Sequence, residues 1–169
     1  MPSGHRASPS TYPSNPSEGP ATIPLISGLP PGPRERLAAR VSRIDLEAGK
    51  TFMREGDITP FLAIVVRGRV ALRMRVPERG AIMILTLDPG EIAGWSAMVP
   101  PHRATTTATT LEPTELAIVD AERLRELLAS DVEFAAAFLP LILDTVVARL
   151  AATRDQLLDL FQGSAVDPW

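Results

Sequence analysis

The run from Val70 to Val76 constrains the fold most. Val70, Leu72, Met74 and Val76 fall on one face, and Ala71, Arg73 and Arg75 on the other. A period of two with charge on one side predicts a strand with one wet face. Turn residues bracket it, Arg67-Gly68-Arg69 before and Pro77-Glu78-Arg79-Gly80 after, so its neighbours are expected to return as hairpins. Upstream, Phe61 to Val66 is a continuous apolar run, which predicts a buried strand. Downstream, Ala81 to Leu87 returns as a strand, and Pro89-Gly90 ends it.

The pattern extends both ways. Ile44 and Leu46 alternate with polar neighbours before the Ala48-Gly49 turn, Thr51-Phe52-Met53 follows, and Glu55-Gly56-Asp57 turns again. Ala104 to Thr110 is rich in threonine and uncharged, which suits a strand. Leu116 to Val119 reads as the last strand. Asp120 can cap a helix from Ala121 to about Ala129, and Ser130 with Glu133 has capping-box spacing for the next. Pro140 is expected to kink or divide that second helix. Ahead of the strands, Pro31-Gly32-Pro33 feeds a short helix from Arg34 to about Ala39. The expected fold is therefore mainly β with α. It is an antiparallel eight-stranded jelly-roll barrel, a double-stranded β-helix, with a short N-terminal helix and long C-terminal helices.

Domain organisation follows from composition. Residues 1–22 form an expected disordered tail, since the first twenty positions hold five prolines and five serines and too little apolar surface to offset ordering. The folded domain is expected over 23–161, opening with Ile23, Leu25, Ile26 and Leu29, and 162–169 as a flexible end marked by Gly163 and Pro168. In the final helix, Leu143, Val146, Leu150, Thr153, Leu157 and Leu160 are spaced alternately three and four apart. That rhythm is a coiled-coil seam and predicts a homodimer; packing on the domain itself is the alternative.

Several function classes are poorly served. A net charge of −3 argues against a general nucleic-acid surface. Without cysteine there are no disulfides or zinc–thiolate sites. No leader-like apolar run or membrane span of about 18 residues is expected, and a cytoplasmic setting is the default. A cupin-like metal enzyme would need histidines and carboxylates converging from the strands. The two histidines are His5 in the tail and His102 in a loop. A hydrolase would have only Ser96 with His102 to work with. Neither a metal nor a cofactor is expected, and no enzyme activity.

What remains is the stretch from Pro89 to Thr105. A short turn starts behind Gly94 and stops at Pro100-Pro101, and Arg103 follows. The start of such a turn leaves backbone N–H groups without internal acceptors and attracts anions. An arginine adds a planar, permanently charged fork; alone, Arg103 would read as an exposed loop residue. His102 is expected to face solvent. Trp95 suits core packing and ligand stacking equally.

The turns Leu46–Lys50, Arg54–Asp57 and Val66–Val70, with Pro89–Gly94 through Arg103-Ala104-Thr105, resemble the cyclic-nucleotide-binding domain. This is the effector domain of catabolite-activator-type regulators and of kinase regulatory subunits. The resemblance runs from about Leu29 to Phe161. It implies a phosphate-binding cassette at Gly94, with N–H groups of Trp95, Ser96 and Ala97 toward the phosphate. It implies that Arg103 pairs with that phosphate, and that Ala104 and Thr105 lie near phosphate and base. Gly56 and Gly68 would be structural turns. It also implies a dimer helix at the C-terminus, and signalling through the helices. In two respects the sequence departs from the family. Trp95 stands where a glutamate accepts a bond from the ribose hydroxyl, and indole N–H is a donor only; Glu91 is a poor substitute. The helix-turn-helix of the bacterial regulators does not follow before Trp169, so no DNA contact is expected. The implied function is sensing a cyclic nucleotide or related phosphate ligand. The alternative is a degenerate fold serving as a dimeric interaction module.

Overall fold

The computed structural model describes residues 23–162 of the 169. The expected N-terminal tail and the stretch from Gly163 to Trp169 lie outside the described residues, as do the side chains of Leu157 and Leu160. Two short helices, α1 (Pro24–Ser27) and α2 (Pro31–Ala38), come first. Eight strands follow: β1 (Val41–Leu46), β2 (Thr51–Met53), β3 (Phe61–Arg67), β4 (Val70–Val76), β5 (Gly80–Leu87), β6 (Ile92–Ala93), β7 (Thr107–Thr110) and β8 (Thr114–Asp120). A 3₁₀ turn, Trp95–Met98, separates β6 from β7, and α3 (Ala121–Ser130) and α4 (Val132–Gln162) end the chain.

The strands form two antiparallel four-stranded sheets, ordered β1-β8-β3-β6 and β2-β7-β4-β5. This is the expected jelly roll. Strand β3 explains why its sequence is apolar up to the exposed Arg67 at its end. Leu62 and Ile64 face a core shared with the helices, while Ala63 and Val65 face the interior between the sheets. A strand buried on both faces has no position for a charge. In β4 the wet face is shorter than expected: Arg73 and Arg75 lie on it, but Ala71 is fully buried. Both edges of β4 at Ala71 are paired, to Thr86 and Thr109, and a methyl group is readily covered.

Helix α2 starts three residues before its expected first residue, Arg34. Proline fits a first turn because its missing N–H would have no helical acceptor there. The Asp120 side chain caps α3 as expected, accepting from Arg123 N at 2.9 Å. For α4 the cap is Asp131, which accepts from Phe134 N at 2.9 Å. Ser130 instead donates its hydroxyl to Glu126 O, 2.8 Å away in α3. The carboxylate one position later competes better, because charge-assisted bonds to N–H groups are stronger.

Pro140 does not divide α4, which runs unbroken through it. Phe134, Phe138 and Ile142 bracket the proline and all bury into the helix-side core with Ile23, Ile26, Leu29, Leu37 and Leu124. Packing on both sides holds the helix across the hydrogen bond that proline cannot make. Contrary to the sequence expectation, Val132–Asp155 is long and apolar enough to cross a membrane by length and composition, with mean hydropathy 1.8. Two apolar faces account for that value. One is the buried face just named. The other is an exposed stripe of Leu139, Leu143, Val147 and Leu150, continued past the span by Leu158, of which Leu150 is 70% exposed. Val146, placed in the seam from the sequence, packs on the domain's own core. Leu143 and Leu150 lie on the exposed stripe.

Candidate ligand-binding site

The 3₁₀ turn is positioned by one glycine. Gly94 sits at φ +79°, the left-handed region, and a Cβ there would lie 2.8 Å from Phe61 O. Only glycine allows the turn to start this close to β3. At its other end, Ala97 O accepts from Arg125 Nη1 of α3 at 2.8 Å. Ala97 N donates to Gly94 O at 2.9 Å, so it is engaged within the turn. The first N–H groups, of Trp95 and Ser96, have no preceding turn to bond to.

Gly94, Trp95 and Ser96 line one cavity with Thr105, Thr106, Ile92, Met53 and Arg149. The expected strand from Ala104 is shorter than the sequence suggested. Thr105 and Thr106 form a bend, and β7 begins at Thr107. The bend arises because Ala104 is drawn away: its N–H donates to Asp57 O, and its C=O accepts from Gly56 N, each at 2.8 Å. Ala104 is buried in the core between the sheets and does not line the cavity.

Arg103 is not brought to the cavity. It is exposed, bridges to Ile58 of the neighbouring turn, and donates Nη1 to Gly56 O at 2.8 Å. His102 is half-buried at φ +59°, not solvent-facing, and its Nδ1 is buried without a partner. It is not hydrogen-bonded to Ser96. Among the described residues, no three His, Asp or Glu side chains converge as metal ligands. Trp95 packs half-buried against the helix-side core and also lines the cavity. Glu91 is turned back on its own loop, its Oε2 accepting from Asp88 N at 2.7 Å.

The residue the sequence reading missed is Arg149. It reaches the cavity from α4 and donates Nη2 to Ile92 O of β6 at 3.0 Å. Its Nη1 is buried and meets no acceptor. Burial lowers its pKa, and the charge of Glu91 partly opposes the shift. Arg149 also borders a larger cleft of about 310 Å³, lined by Leu85, Gly90, Glu91, Asp144 and Thr145. The cavity at the turn is small, about 20 Å³, room for roughly one water molecule.

A two-sheet jelly roll with a long C-terminal helix and a glycine-led turn defines a small β-barrel domain. The cyclic nucleotide-binding domain model matches residues 43–131, more than half of the chain. The chain belongs to that family, which is regulatory and not enzymatic. It is 24% identical over 136 residues to the CRP-like cAMP-activated global transcriptional regulator of Mycobacterium tuberculosis, covering 80% of this chain and 59% of that protein. It thus spans about three fifths of the length of the curated relatives it matches. Among solved structures, a cyclic nucleotide-binding domain from Methylobacillus flagellatus superposes with TM-score 0.73 at 18% identity, over 87% of this chain and 84% of that one. The N-terminal domain of a Streptomyces coelicolor transcriptional regulator does so with TM-score 0.61 at 28% identity, over 82% and 96%.

Proposed function

We propose that this domain senses a cyclic nucleotide or a related phosphate-bearing ligand and passes the signal through α4. The observation that carries this reading is the composition of the cavity wall. Barrel residues Gly94, Trp95, Ser96 and Thr105 supply one side, and α4 supplies Arg149 on the other. A ligand there touches both. Ligand pockets usually measure about 300–1,000 Å³, far more than the turn cavity holds. Any such ligand must therefore move Trp95 or α4 on entering. A ligand that favours the opened arrangement shifts the population of α4 positions by its differential affinity. The setting this implies is cytoplasmic.

A second reading is favoured by two specific observations. Arg103 is turned outward, and the turn cavity is nearly filled. A domain that had lost nucleotide binding would look this way and act as an interaction module. Its exposed stripe on α4 is an apolar surface that a second copy of the chain can cover, giving a homodimer. Calorimetry with cyclic AMP and cyclic GMP separates the two readings. The sensing reading expects saturable heat with at least one of them. A chain with the mass of a dimer by light scattering, and no heat with either, supports the interaction module instead.

A further inference from the structure

We propose that Arg149 of α4, and not Arg103, is the cation that binds the anionic group of the ligand. The inference rests on the sensing reading and names the residue that gives it charge. Arg149 enters the cavity from the helix, and its guanidinium is oriented by one bond, Nη2 to Ile92 O. That bond leaves the Nη1 edge buried with no acceptor. A buried charged donor without a partner is costly, so such groups are normally paired. No carboxylate lines the cavity, so no opposite charge pairs it there. Its other polar linings, Ser96, Thr105 and Thr106, carry hydroxyls that can donate to an anion as well. The nearby carboxylates, Glu91 and Asp144, line the larger cleft and not this cavity, and Glu91 is engaged by Asp88 N.

Arg103 differs in every respect. It is exposed, its Nη1 already donates to Gly56 O, and it lines no part of this cavity. Placing the cation on α4 has a mechanical consequence. An anion held by Arg149 is held by the helix itself, so ligand charge ties α4 to the Gly94 turn. The Arg149 guanidinium and the hydroxyls of Ser96, Thr105 and Thr106 can all donate, which suits an anionic oxygen.

Calorimetric titration of the full chain with cyclic AMP, and separately with inorganic phosphate, tests the assignment. Wild type, Arg103→Gln, Arg149→Gln and Arg149→Lys are compared. Wild type is expected to bind at least one probe. Losing a charged hydrogen-bonding partner weakens that binding by about 10- to 100-fold in Arg149→Gln, and the lysine variant recovers part of it. Arg103→Gln stays within about threefold of wild type, as an exposed charge should. Thermal melting in anion-free buffer checks that Arg149→Gln still folds cooperatively; removing the unpaired charge of Nη1 and losing the Nη2 bond to Ile92 O act in opposite directions on its stability. Binding lost in Arg103→Gln and kept in Arg149→Gln overturns the proposal and leaves the sensing reading standing. Wild type binding neither probe overturns both.

Discussion

Replacing Gly94 with alanine is expected to destabilise the domain by about 2–5 kcal/mol. Two effects combine. At φ +79° the backbone is in the left-handed region, where a Cβ costs about 1–2 kcal/mol. The added Cβ would also stand 2.8 Å from Phe61 O and 3.2 Å from Thr59 Cγ2. Phe61 begins β3, whose pairing with β8 fixes it, so the 3₁₀ turn must move instead. Moving the turn carries Trp95 and Ser96 with it, and the cavity geometry goes with them. Gly56→Ala is the matched comparison. Its φ is +86°, but an added Cβ there meets nothing within 4 Å. Only the conformational cost of about 1–2 kcal/mol remains. Urea unfolding of the two variants reads the difference. Equal midpoints would mean that Gly94 is not fixed by close approach to β3.

Phe138→Ala is expected to cost about 3–5 kcal/mol, the usual range for an aromatic side chain removed from a close-packed core. Phe138 is fully buried and stacks on Phe134 with ring centroids 5.2 Å apart and an interplanar angle of 16°. The pair is the main anchor of α4 on the barrel, on the N-terminal side of Pro140. Removing it leaves the helix without the packing that spans the proline. The adjacent residue gives the control. Leu139 is 51% exposed, and truncating it to alanine should stay within about 0.5 kcal/mol in the monomer. Denaturant unfolding of both variants at low protein concentration decides it. A loss in Phe138→Ala no larger than in Leu139→Ala would show that α4 does not depend on this core.

How far the sequence reaches can be seen from these residues. All the strands of the barrel but the two-residue β6 (Ile92–Ala93) were legible because their signals are local: alternation in β4, an unbroken apolar run in β3, and glycines at turns. Gly94 was legible as a turn start, and Trp95 as a departure from the family. Other features depended on contacts between distant segments. The outward course of Arg103 is set by hydrogen bonds that draw Ala104 to Gly56 and Asp57, some 47 residues away. The same bonds make the bend that brings Thr105 and Thr106 to the cavity. Pro140 was expected to break or kink a helix, but burial of Phe134, Phe138 and Ile142 on either side outweighs its local preference. Arg149 had no local signature at all. In a helical pattern it is one charged residue among others, and only the placement of α4 against β6 makes it a buried cation.

The most direct test of the account is the fluorescence of Trp95. The chain has two tryptophans, so Trp169→Phe leaves Trp95 as the sole indole, lining the cavity beside Gly94 and Arg149. Titration of this variant with cyclic AMP is expected to change its emission saturably, with the same midpoint as the calorimetric isotherm. Calorimetric saturation with unchanged Trp95 emission would place the ligand elsewhere and contradict the account.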